Sequence, residues 1–235
     1  MVSLASKVIS ITGSASGMGF VTAKALFDRG VSLSFADYRE DALIKTQFPF
    51  ESSFVSTSSQ KPTILATALH IRESSQVKSR IEKTVSHFGR LDGAAIIAGA
   101  LGKNFGVHDL TQLSNEEWEF VTRTDFTGLS YCMRAQLRVL SDGGAVVNAA
   151  STTGLESHPK NSANSATKHA VNGLSKSAAG GMGGRGSRPI VLRREVYSFA
   201  HGCQCLEWHS SILSWLDRRP LFHLLSLRVE DLWTV

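Results

Sequence analysis

The stretch Lys7 to Gly19, K-V-I-S-I-T-G-S-A-S-G-M-G, constrains this chain more than any other, because a short apolar β-type run passes directly into a loop with three glycines. Val8, Ile9 and Ile11 suit a parallel strand buried on both faces. Gly13, Gly17 and Gly19 fall where a strand-to-helix turn must bring its backbone close to a pyrophosphate, and Ser14, Ser16 and Met18 complete that turn. The helix that follows, ending near Arg29, presents free backbone N–H groups and the positive end of its dipole to such an anion. A second strand-like run, Val31 to Ala36, ends at Asp37, about 20 residues beyond the loop, where a carboxylate accepts hydrogen bonds from ribose hydroxyls.

Apolar β-type runs then alternate with helix-period segments as far as residue 179. This order predicts an α/β fold: a single Rossmann-type, doubly wound parallel sheet flanked by helices, with 1–179 as its domain. Strands are expected near 7–12, 31–36, 63–69, 91–98 and 143–149, and helices near 17–29, 73–87, 115–140 and 162–179. Thr46 to Pro62, rich in serine and proline, reads as a long surface loop.

Residues 180–235 break the pattern. Gly180 to Pro189, G-G-M-G-G-R-G-S-R-P, cannot continue a helix, and every lysine lies at or before Lys176 while seven arginines lie beyond Gly184. An atypical tail is therefore expected, with the sheet incomplete at its C-terminal end. Ile190 to Leu192 offers a short candidate for a sixth strand, with no Pro-Gly turn after it.

A formal charge of +5 and a pI near 9.3 raise the question of nucleic acid. The basic residues are interleaved with acids on presumptive helix surfaces, as at Lys78, Arg80, Glu82 and Lys83, which reads as a solvated face; no nucleic-acid partner is expected. No apolar run reaches the length of a membrane span and no secretory signal is evident, so a cytoplasmic protein is expected. Three cysteines, Cys132, Cys203 and Cys205, do not suggest a disulfide framework. His201, Cys203, Cys205 and His209 are metal-ligand types, but a C-x-C pair lacks the reach of closed structural sites, and no metal is expected.

T-G-S-A-S-G-M-G, L-D-G-A-A-I-I-A-G-A, V-V-N-A-A-S-T-T-G and N-S-A-T-K-H-A-V, in that order, make residues 1 to about 179 resemble the short-chain dehydrogenase/reductase family. Within it, the texture is similar to members among the tailoring enzymes of fungal secondary metabolism. The resemblance implies binding of NAD or NADP, hydride transfer on a small-molecule alcohol or ketone, and a homodimer or tetramer. It also implies a site built on a serine, a tyrosine, a lysine and an asparagine. Ser151 falls at the place of the serine that bonds the substrate oxygen, and Lys168 at that of the lysine that holds the nicotinamide ribose.

The other two places depart from the family. Asn164 stands at the tyrosine's position, four residues before Lys168, and an amide has no accessible ionisation with which to exchange a proton. Asp125 stands at the asparagine's position, three residues ahead of Gly128. Gly99 closes I-I-A-G where the family has N-N-A-G, which replaces a polar tie between strands by apolar packing, and His70 stands where the third strand would end in an aspartate. Asp37 favours NAD, because a carboxylate there repels a 2′-phosphate; Arg39 keeps NADP open. The expected function is an NAD(P)-dependent oxidoreductase whose activity is weak or lost, with a non-catalytic homologue that binds nucleotide or dimerises as the alternative.

Overall fold

Strands β1 (Val8–Thr12) and β4 (Gly93–Ile96) are buried along their whole lengths, as central strands covered on both faces must be. They belong to a computed structural model of the chain, which describes residues 4–53, 62–182 and 188–192. β2 (Ser32–Asp37) and β3 (Ile64–Ala68) extend the sheet on one side, and β5 (Ala145–Ala149) and β6 (Arg188–Leu192) on the other. The order is β3-β2-β1-β4-β5-β6, with every neighbouring pair parallel. Chain order reverses between β1 and β4, so the crevice that takes ligands in doubly wound sheets opens at the C-terminal ends of these two strands.

Helices α1 (Gly17–Phe27), α2 (Glu40–Ser53), α3 (Ser74–Phe88), α4 (Asn115–Thr122), α5 (Leu129–Val139) and α6 (Ser162–Gly181) cover the two faces. One core gathers Ile9, Ile11, Leu26, Phe27, Leu33 and Phe35; the other gathers Val77, Leu91, Ile96, Leu129, Met133 and Val146. The doubly wound fold is as expected. Among the described residues, no helix is long and apolar enough to cross a membrane.

Four details differ from the sequence expectations. Residues 46–53 continue α2 rather than forming a loop, because Phe50 is fully buried and packs edge-to-face on Phe20, Phe27 and Phe35 at centroid distances of 5.6, 5.3 and 5.3 Å. That aromatic anchor outweighs the helix hydrogen bond forfeited at Pro49. A sixth strand pairs with β5 over its full length, from Ala145 beside Arg188 to Ala149 beside Leu192. The tail beyond it, including His201, Cys203, Cys205 and His209, lies outside the described residues.

The long helix expected over 115–140 is present and continuous, but it is not regular throughout. Arg123–Gly128 forms a π-helical turn between α4 and α5. Finally, Arg80 does not face solvent: it is 1% exposed, on the same helical face as Val77 and Thr84. Its Nη2 donates to the carbonyls of Ser34 on β2 at 2.6 Å and Ile11 on β1 at 3.3 Å, and burial pulls its pKa down to about 10. The neighbouring Cys132 thiol is pushed up to about 12 by the same desolvation.

Asp92, immediately before β4, fastens the N-terminal ends of the central strands. Its carboxylate accepts from the Val8 N–H at 3.0 Å, from Lys7 Nζ at 3.1 Å and from Arg90 Nε at 2.7 Å. Burial works to raise its pKa, but the bonds from Arg90, Val8 and Lys7 outweigh this and hold the carboxyl below its ordinary value. A depressed folded-state pKa stabilises the protein above the unfolded-state value, and that contribution is lost as pH falls through the folded-state value. Asp92→Asn is expected to cost about 1–2 kcal/mol at pH 7, because the exposed faces of Arg90 and Lys7 screen part of the gain. Thermal melts from about pH 6 downward will check it: the variant's melting temperature should fall less steeply below about pH 4 than that of the wild type.

Candidate active site

The glycine loop turns at the C-terminal end of β1 by a backbone approach that side chains would prevent. A Cβ on Gly19 would overlap the carbonyl oxygen of Gly13, and one on Gly13 would stand 2.9 Å from the Ala98 nitrogen. Gly13 and Gly17 also hold φ angles of +73° and +52°, in the left-handed region. Ser14 is buried and its Oγ donates to the Ala36 carbonyl at 3.2 Å. Ser16 precedes α1 as its N-cap without a capping bond from its side chain, so Met18 and Gly19 lie in a first turn whose amide groups point toward the crevice.

Asp37, 7% exposed, ties this loop to β2. Its Oδ2 accepts from the Ala15 N–H at 3.1 Å, and its Oδ1 accepts from Arg39 N at 3.1 Å and Nε at 3.3 Å. Arg39 Nη2 donates in turn to Ser16 Oγ at 2.7 Å and its guanidinium lies 5.5 Å from the centroid of the Tyr38 ring, which stacks on His70. Beside Gly13, Thr12 Oγ1 accepts from the Ile97 and Ala98 N–H groups at 3.1 and 3.3 Å. The polar tie that seemed lost with I-I-A-G is thus made from the β1 side. Thr12 was identifiable as the hydroxyl ending the strand directly before the glycines. The cradle fits a dinucleotide: backbone atoms fill the space that a Cβ would need at positions 13 and 19, so the loop turns tightly against the start of α1, whose first turn carries no side-chain cap.

The opposite wall comes from β5 and α6. Ser151 caps a short 3₁₀ turn, Thr152–Gly154, accepting from the Thr153 N–H at 3.2 Å. That turn rests on α6 so closely that a Cβ on Gly154 would lie 2.7 Å from the Lys168 carbonyl, while Asn172 Nδ2 donates to the Gly154 carbonyl at 2.8 Å. Thr153 Oγ1 donates to Asn164 Oδ1 at 2.8 Å, a contact not foreseen from the sequence. Asn164 is therefore a buried, hydrogen-bonded amide with no proton to give up.

Lys168 Nζ reaches Asp125 Oδ2 at 3.1 Å and the Ala149 carbonyl at 3.3 Å. Asp125 lies in the π-turn, is 2% exposed, and uses Oδ1 to accept from the Ala100 N–H at 2.7 Å. A Cβ on Gly99 would come within 3.3 Å of the same oxygen. The structure thus joins Asp125, Lys168 and the loop after β4, and joins Ser151, Thr153 and Asn164 through the 3₁₀ turn. A pocket beside Asn164 is lined by Phe105, His108, Glu117, Val121 and Asn161. His108 Nδ1 and Asn161 Oδ1 are buried without a hydrogen-bond partner among the described residues. No cluster of three or more metal-ligand side chains occurs among those residues.

The sequence profile of the short chain dehydrogenase family matches residues 7–190. The chain is 40% identical over 182 residues to short-chain dehydrogenase/reductase aba4 of Botryotinia fuckeliana, covering 77% of this chain and 68% of that protein. It is 34% identical over 175 residues to cyclohexanol dehydrogenase of Acinetobacter sp., covering 74% and 66%. Among solved structures, a short chain dehydrogenase from Mycobacterium smegmatis superposes with a TM-score of 0.78 at 26% identity, covering 89% of this chain and 85% of that one.

The close approaches can be tested in the intact chain. Gly19→Ala is expected to lower the melting temperature by about 5–10 °C, since the Gly13 carbonyl must move to admit the methyl group. Gly173→Ala, inside α6 with nothing within 4 Å of its added Cβ, should instead leave stability unchanged or raise it by about 0.5–1 kcal/mol. A Gly19→Ala melt identical to the wild type would contradict the tight turn.

Proposed function

Because the chain belongs to the short-chain dehydrogenase family, we propose that it binds a nicotinamide dinucleotide across the crevice between β1 and β4 and acts as a weak oxidoreductase on an alcohol or carbonyl substrate. The observation that carries this reading is the tight glycine turn between β1 and α1, with Gly13 and Gly17 at left-handed φ, Gly19 against the Gly13 carbonyl and Asp37 bonded to the Ala15 N–H; it supports a pyrophosphate cradle with Asp37 at its ribose end. When bound, the nicotinamide is the hydride donor or acceptor. Ser16 and the first turn of α1, including Met18, line the phosphates, Gly99 flanks the path toward the β4 end, and Ser14, buried with its N–H and Oγ both on the Ala36 carbonyl, shapes the loop instead of touching the ligand.

Ser151, half-buried above β5, offers its hydroxyl to the substrate oxygen. Lys168 holds the ribose side of the site with the donor capacity its other contacts leave free. Asn164 orients the 3₁₀ turn by accepting from Thr153 but moves no proton. Loss of one acid–base group forfeits about 10²–10⁴-fold in rate, which is why the proposed activity is weak. The same observation favours the second reading, a non-catalytic homologue that retains nucleotide.

NAD is the preferred cofactor, because the Asp37 carboxylate opposes a 2′-phosphate; Arg39, shared between Asp37 and Ser16, moderates the preference. The similarity to a fungal protein supports a place in secondary metabolism, and the family resemblance supports a cytoplasmic homodimer or tetramer. Titration of the purified chain is expected to give NADH an affinity about three- to tenfold above NADPH, an order that Asp37→Ser should reverse. Assays with cyclic alcohols and ketones should show turnover at or below about 0.1 s⁻¹, given ordinary enzyme rates and the missing acid. Failure to bind either nucleotide would sink the proposal, whereas binding with no turnover selects the non-catalytic homologue.

A further inference from the structure

The pairing of Asp125 with Lys168 bears on more than the folding of the site. An ammonium group has three protons to donate. One is directed to the Ala149 carbonyl at 3.3 Å, and Asp125 Oδ2 stands 3.1 Å from the same nitrogen as its ion-pair partner. The pair is enclosed, with side-chain exposures of 12% for Lys168 and 2% for Asp125, and the carboxylate's other oxygen is anchored by the Ala100 N–H. Charges this sheltered attract each other far more strongly than surface pairs do.

We infer that Asp125 is a positioning residue that holds Lys168 toward the π-turn, in competition with the cofactor ribose and with any proton-carrying group at position 164. This rests on the dinucleotide reading given above. The lysine's charge is already balanced by a carboxylate, so a hydroxyl introduced at residue 164 receives little of its electrostatic help. The deficit at the site thus has two coupled causes, the amide at 164 and the acid at 125, and repairing one leaves the other in force.

Asp125→Asn isolates the effect. The amide oxygen can keep the 2.7 Å bond from Ala100 while the negative charge disappears, so the loop after β4 retains its anchor. Freed from the carboxylate, Lys168 is available to the ribose. Fluorescence titration of the full chain with NADH is expected to show about three- to tenfold tighter binding by Asp125→Asn than by the wild type, the value of one recovered hydrogen bond. A merely structural role for Asp125 predicts the opposite sign, weaker binding by a loosened site. Should the amide variant lose its fold, as judged by circular dichroism, Asp125→Ser removes the same charge with the same expected direction.

Kinetics complete the test. With saturating NADH and cyclohexanone, Asn164→Tyr alone should raise kcat less than about tenfold, and Asn164→Tyr with Asp125→Asn at least about 100-fold. Equal rates for the single and double variants overturn the inference, as does a failure of the neutral variants to tighten NADH when the wild type binds it. Absence of NADH and NADPH binding in every variant removes the dinucleotide reading itself, and this inference with it.

Discussion

The contact between the backbone of Gly19 and the carbonyl of Gly13 governs the geometry of everything around the crevice. Only without a side chain at position 19 can α1 start so close beneath the end of β1. That start aims the amide groups of the first helical turn into the crevice and brings the Ala15 N–H to the Asp37 carboxylate. Gly13, pressed against Ala98, sets the spacing between the glycine loop and the end of β4. Thr12 then accepts from the two N–H groups that follow β4, so hydrogen bonds tie the end of β4 to the end of β1.

The far side of the site is assembled by the same device with a different outcome. Gly154 lets the 3₁₀ turn rest on α6, which fixes Ser151 relative to Asn164 and Lys168. Here, however, several of the polar groups bond one another. Asn164 takes the Thr153 hydroxyl, and Lys168 donates to the Ala149 carbonyl while pairing with the Asp125 carboxylate. A buried polar network that closes on itself gains rigidity and gives up readiness to react.

The sheet was legible in the sequence because buried parallel strands are apolar runs and because Gly13, Gly17 and Gly19 could serve few other purposes. Ser151, Asn164 and Lys168 are picked out by the match of V-V-N-A-A-S-T-T-G and N-S-A-T-K-H-A-V to the family's motifs, and the structure sets them along one wall. What escaped had tertiary causes. Pro49 suggested a break, yet Phe50 found three aromatic partners in the core. Arg80 carried a charge that composition assigns to the surface, while its helical face and the carbonyls of Ser34 and Ile11 assigned it to the interior. The Asp125–Lys168 pair joins residues 43 positions apart on different elements, so neither local pattern contained it. The π-turn was equally hidden, since apolar periodicity over 115–140 averages across a local widening.

That widened turn makes the length of the segment an inherited quantity. A π-turn accommodates extra chain within a helix, and removing one residue from Arg123–Gly128 would permit a regular α-helix in its place. Each residue advances a helix by about 100°, so the deletion would rotate one half against the other. Either Val121 would leave its buried seat, or Met133 and Gln136 would, the latter breaking from Ser10 on β1. A substitution at Asp125 therefore leaves this register intact, whereas an insertion or deletion around it shifts one flank against the other. The widened turn thus couples the number of residues in the segment to the seats of side chains on both of its flanks.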